Sequence, residues 1–94
     1  SGGRISAAHK TMPLPSYVEV TSLTSGRTIL VRVERRGPMS NEILIELSPT
    51  AAGQLGLSPT ERVAVRVRRT NPPEPERALL RAGERAPERM ATPK

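Results

Sequence analysis

Thr28-Ile29-Leu30-Val31-Arg32-Val33-Glu34-Arg35 alternates apolar and polar side chains along a stretch dominated by β-branched residues. A period of two sets Ile29, Val31 and Val33 on one face and Arg32 and Glu34 on the other, which predicts a half-buried strand. Just upstream, Tyr17 to Leu23 repeats the pattern, with Val18 and Val20 against Glu19 and Thr21. Thr24-Ser25-Gly26-Arg27 joins the two segments. Gly26 is free to take a positive φ there, so the pair is expected to fold back as a hairpin. Downstream, Arg36-Gly37-Pro38 ends the strand. Two further strands are predicted, Ile43 to Leu47 and Arg62 to Arg69, the second with Val63, Val65 and Val67 inward and Arg62, Arg66 and Arg68 outward. Between them Ser48 is placed to cap a short helix and Pro49 suits its first position. That helix runs through Ala51, Ala52 and Leu55 and stops at Gly56. The fold class expected is mainly β, with one short helix.

The 94 residues allow one small domain, and the absence of Phe and Trp leaves Val, Ile, Leu and Ala to build its core. There is no Cys, so thiolate metal sites and disulfides are excluded, and His9 is the only histidine. No metal and no cofactor is expected. The net charge of +6 is concentrated in residues 1–70, which hold ten basic residues against five Glu. A basic surface attracts polyanions. Nucleic acid is a poor fit, because the aromatic side chains on which bases stack are missing; peptidoglycan carboxylates and anionic head groups match the charge equally well. No run of about 18 apolar residues is available to cross a bilayer. A targeting segment, if the protein is exported, is expected outside these residues. Residues 1–4 read as a flexible N-terminus. Residues 71–94 carry half of the ten prolines, mixed with Glu and Arg, and read as an extended or disordered linker or a partner-docking tail. Within it, Arg77 to Arg85 is expected to form at most one or two helical turns, with Leu79 and Leu80 exposed.

Three segments carry a resemblance to a known family. Ala7-Ala8-His9-Lys10-Thr11-Met12-Pro13 resembles the AAHKTLP segment of rare lipoprotein A (RlpA) domains. Val31-Arg32-Val33-Glu34-Arg35-Arg36-Gly37-Pro38 resembles their VRVNDRGP segment, and Ile45-Glu46-Leu47-Ser48, followed by Ala51-Ala52 and Leu55-Gly56, resembles their IDLS, AA and LG signature. Order and spacing agree over about residues 5–69. The resemblance implies a small double-psi β-barrel of the six-stranded type over residues 5–70, a cell-envelope or periplasmic location, and peptidoglycan glycan strands as the ligand. It also implies that a sporulation-related repeat (SPOR) domain often follows the Pro-rich tail. The family's first strand, reading roughly A-S-W-Y-G, has no counterpart in these residues, so the barrel is expected to present an open edge for another protein or a second copy.

The resemblance implies lytic transglycosylase activity, in which a proton must reach the leaving oxygen. His9 matches the family's histidine. The family's aspartate is replaced by Arg35, whose guanidinium stays charged and cannot act as a general acid. Catalysis is therefore expected to be lost, leaving a glycan-binding or structural module. The rival reading keeps an enzyme, with His9 assisted by Glu34 or Glu46 as the acid. Glu34 should point to the opposite face from residue 35 unless a bulge re-aims it; Glu46 stands where the family has the aspartate of IDLS, with a plain surface carboxylate as the alternative. Lys10, Arg32, Arg35 and Arg36, with His9, are the candidates for holding glycan, stem-peptide carboxylates or a partner, against the simpler role of solvated strand-face cations. A basic nucleic-acid-binding barrel is the third and weakest reading.

Overall fold

The computed structural model describes residues 3–87. Five strands form one mixed sheet: β1 (Ser6–Ala8), β2 (Ser16–Ser22), β3 (Thr28–Arg35), β4 (Glu46–Leu47) and β5 (Val65–Thr70). Two helices accompany them, α1 (Pro49–Gln54) and α2 (Glu74–Arg81). The strand order is β4-β1-β3-β2-β5. Only β1 and β3 run parallel; β1–β4, β2–β3 and β2–β5 are antiparallel. The mainly β class is as expected from the alternation.

The β2–β3 hairpin forms around Gly26, whose φ of 80° lies in the region that side chains disfavour. Its inward positions are those read from period two: Val18, Val20, Ile29, Val31 and Val33 are fully buried. Leu30, on the other face, is buried as well, because that face is also covered; α2 lies against β3. Helix α1 begins as its sequence dictates. Ser48 Oγ accepts the Ala51 amide (3.2 Å) and Pro49 occupies the first turn. The same hydroxyl donates to the Arg4 carbonyl (2.6 Å) and accepts the Ser6 amide (3.2 Å), so one side chain ties the start of α1 to the start of β1.

Four stretches differ from the sequence expectation. β1 was not anticipated: Ser6-Ala7-Ala8 is too short and too uniformly small to alternate, yet it is fully buried between β3 and β4. The strands predicted over 43–47 and 62–69 form only in part, at Glu46–Leu47 and Val65–Thr70. Both are edges of the sheet, with a neighbour on one side only, and Val65 and Val67 are half-buried rather than enclosed. In the tail, Glu74–Arg81 form α2, and Leu80, expected to be exposed, belongs with Ala86 to the core at 1% and 0% exposure, while most of the other residues between Asn71 and Pro87 are exposed. Acidic Glu74 and Glu76 in the first turn of α2 and Arg81 in its last complement the helix dipole. The amide side chain of Gln54 donates to the Ala86 carbonyl (3.1 Å), fixing the stretch beyond the helix against α1. The parts of the expected N-terminal and C-terminal flexible segments at residues 1–2 and 88–94 lie outside the described residues.

Truncating Leu80→Ala should cost about 2–4 kcal/mol, as for a fully enclosed leucine, whereas a side chain on a solvated linker would cost almost nothing. Ser48→Ala should cost about 1–3 kcal/mol by stranding backbone groups at both β1 and α1. Urea denaturation of the two variants beside the parent chain measures both.

Candidate functional site

Of the sequence-predicted residues, His9, Lys10, Arg35 and Arg36 gather where β1 and β3 end, whereas Arg32 and Glu34 pair with each other. His9 follows β1 directly, and its amide continues the ladder by donating to the Arg35 carbonyl (3.1 Å). The imidazole is half-buried and turned back on its own loop: Nδ1 accepts the amides of Thr11 (3.1 Å) and Met12 (3.2 Å). A nitrogen that accepts two N–H groups carries no hydrogen, so the neutral ring holds its proton on Nε2, where it is a donor.

The cations around it are engaged in holding backbone. Lys10 Nζ donates to the carbonyls of Ser40 and Ile43, closing the loop after β3 onto the loop after β1. The Arg36 guanidinium donates to the carbonyls of Met12 (2.5 Å) and His9 (3.4 Å). Arg35 Nη1 donates to Ser6 Oγ (3.0 Å). Lys10 and Arg36 thus cover loop carbonyls, Arg35 braces the Ser6 hydroxyl of β1, and all three side chains have further N–H groups.

Glu34 sits apart from that group. Relative to β1, β3 carries one extra residue here, since Ala7 pairs with Val33 but Ala8 pairs with Arg35. The bulge considered from sequence is therefore present. It does not free the Glu34 carboxylate. Arg4 grips that group with two nitrogens, one at 3.1 Å from Oε1, and Arg32 Nη1 reaches Oε2 at 2.7 Å. Arg32 is steadied in turn by Tyr17, whose hydroxyl oxygen accepts from Nε (3.3 Å). The Arg4 hydrogen bonds, then those from Arg32, hold the Glu34 carboxyl below the ordinary glutamate range despite partial burial, which acts the other way. Both guanidinium pKa values are raised, chiefly by the Glu34 bond. Arg32 thus serves Glu34. Arg4 and Tyr17 had no signal in the sequence, because their relation to Glu34 is set by the β1–β3 and β2–β3 registers.

Glu46 is the other carboxylate at this end. It pairs across β4–β1 with Ala8, one residue before His9, and its side chain is exposed. Chemically the site offers an imidazole donor, several guanidinium and ammonium donors, and one solvent-facing acid. Among the described residues no three His, Cys, Asp or Glu side chains group closely enough to hold a metal ion, and no helix is long and apolar enough to cross a membrane.

A small mixed β-sheet domain with its functional candidates at the rim of a bulged strand is the class defined so far. A double-psi β-barrel family described as lytic transglycolase matches residues 3–68, and the chain belongs to that family. It is 42% identical over 90 residues to the endolytic peptidoglycan transglycosylase RlpA of Pseudomonas aeruginosa, a match that takes in 96% of the chain and 26% of that relative. It is 44% identical over 62 residues to the Escherichia coli protein of the same name, covering 66% of the chain and 17% of the relative. With the Neisseria meningitidis serogroup B protein of that name it shares 50% identity over 50 residues, 53% of the chain and 21% of the relative. The chain thus spans about a quarter or less of the length of these relatives. A 90-residue match within 94 residues extends through α2, so the Pseudomonas similarity continues past the end of the family match at residue 68.

The Glu34 ion pairs make a pH-dependent contribution to stability. A depressed carboxyl pKa contributes above the group's unfolded value and loses that contribution as pH falls through the folded value. Glu34→Gln should lower stability at pH 7 by about 1–2 kcal/mol. The gap to the parent chain should begin to narrow as the pH falls below the ordinary value of 4.5 and close only below the depressed folded value. Thermal melts of both proteins between pH 3 and pH 7 read the difference directly.

Proposed function

We propose that this domain is a peptidoglycan-directed module of the cell envelope that holds glycan strands without cleaving them. The observation that carries the reading is the fate of the carboxylates around His9. Arg35 stands at the aspartate position of the family motif and is bonded to Ser6. Glu34 is kept ionised by Arg4 and Arg32 and has no proton to donate near neutral pH. Glycoside cleavage depends on a carboxyl group that delivers a proton to the leaving oxygen, and general acid catalysis contributes roughly 10²–10⁴-fold. Holding a glycan needs only donors, which the rim supplies: the Nε2–H of His9 and the further N–H groups of Lys10, Arg35 and Arg36. The relatives named as endolytic peptidoglycan transglycosylases supply the ligand class.

A second reading rests on Glu46. Its register opposite Ala8 and its exposure leave it able to exchange protons with water and to approach a ligand lying beside His9. In that case the domain is a working lytic transglycosylase whose acid has moved to β4.

Incubation with intact sacculi and with sacculi stripped of stem peptides separates the readings. The glycan-holding module co-sediments with both and releases no anhydro-muropeptides detectable by mass spectrometry, and Arg35→Ala with Arg36→Ala weakens sedimentation. Release of anhydro-muropeptides that stops with Glu46→Gln overturns the non-cleaving reading in favour of the second. Absence of both binding and release overturns the two together.

A further inference from the structure

The two predicted strands that formed only in part share one boundary. Residues 43–45 lead into β4 and residues 62–64 lead into β5, and both line the same open groove of about 550 Å³. The sequence of each stretch favours a strand, with Ile43 and Ile45 on one side and Val63 on the other. What each lacks is a neighbour. Among the described residues, Leu44, Ile45, Arg62 and Val63 make no backbone–backbone hydrogen bond. No neighbouring strand pairs with their backbone, as at any unguarded sheet edge.

The lining specifies what fits. Leu47 and Leu57 are half-buried against the core, and Leu44 at the lip is 55% exposed. In a chain of net charge +6, this groove is acidic: Glu42, Glu46 and Glu61 line it against Arg62 alone. Arg62 approaches Glu42 only to 4.0 Å, with side chains 70% and 86% exposed, a pair too solvated to hold the lips together. Three residues on each side correspond to about 10 Å of strand. We infer that this groove is the docking site for an extended polypeptide of alternating apolar and basic residues, which adds a strand between residues 43–45 and 62–64. Main-chain bonds supply affinity, and the apolar floor and acidic lips select the sequence. A second copy of the chain is a poor occupant through its own edge, because β5 carries Arg66, Arg68 and Arg69 and pairing two such strands opposes like charges. The inference stands independently of the glycan reading.

The probes are two synthetic eight-residue peptides added to the full chain, one alternating Val and Lys, the other Val and Glu. Binding is read by anisotropy of the labelled peptide and by amide hydrogen exchange of the protein. The Val/Lys peptide is expected to bind at least about tenfold more tightly than its acidic counterpart, the ratio that about 1.4 kcal/mol of charge preference gives. It should also slow exchange at Leu44, Ile45 and Val63 while leaving the β2–β3 hairpin unchanged. A double variant, Glu42→Lys with Glu61→Lys, should reverse the preference; Glu61→Gln, which keeps an acceptor for the Ser58 amide (3.1 Å), controls for the loss of that turn contact. Equal affinity for both peptides, or unchanged exchange at saturating peptide, overturns the inference. So does protection of those amides that rises with protein concentration without any peptide, which would make a second copy the occupant.

Discussion

Ser6-Ala7-Ala8 is the constraint on which the rest of the domain depends. These three residues lie fully buried with β3 on one side and β4 on the other. Only small side chains fit there. Their position sets Arg4 beside Glu34, places His9 at the end of β3, and brings Ser6 to the Ser48 hydroxyl from which α1 starts. The parallel pairing with β3 contains the bulge at Glu34, so the side to which each rim residue projects follows from this one short strand. A larger residue at Ala7 would press into the Val33 layer and disturb both ends of the site at once.

The basic character of the domain takes on a different meaning once its contacts are traced. Arg4 and Arg32 neutralise one buried-side carboxylate, while Lys10, Arg35 and Arg36 satisfy oxygens of the loops that follow β1 and β3 and of β1 itself. Cations that read from sequence as a free polyanion surface are thus part of what gives a domain without large aromatics its order. Long side chains hold loops that a larger core would otherwise clamp. Arg35 and Arg36 remain exposed, so the same residues brace the rim and can offer donors to a ligand.

What the sequence disclosed followed from local rules. The β2–β3 hairpin, the Gly26 turn and the Ser48-Pro49 start of α1 depend on residues a few positions apart, and all are found. What it hid depends on partners far along the chain. β1 has no alternation to detect, and the Arg4–Glu34 pair joins residues 30 apart. Residues 43–45 and 62–64 have strand-forming patterns but no neighbour to realise them. The burial of Leu80 was hidden because Pro and Glu dominate the composition of the tail, whereas the place that Leu80 finds as α2 packs against β3 is set by partners far along the chain. At the candidate site His9, Lys10, Arg35 and Arg36 were legible from the motif, whereas the engagement of Glu34 was not, since a bulge alone does not say which cations lie beside it.

The central claim is that Glu34 is held as an anion by Arg4 and Arg32, leaving no proton donor at the aspartate end of the site. The most direct measurement is an NMR titration of the Glu34 side-chain carboxyl carbon in the folded chain, with Arg4→Gln as the comparison. A midpoint below the ordinary glutamate range that moves back towards it in the variant is the predicted result. A midpoint at or above that range would contradict the account, because the carboxylate would then gain nothing from Arg4 and Arg32.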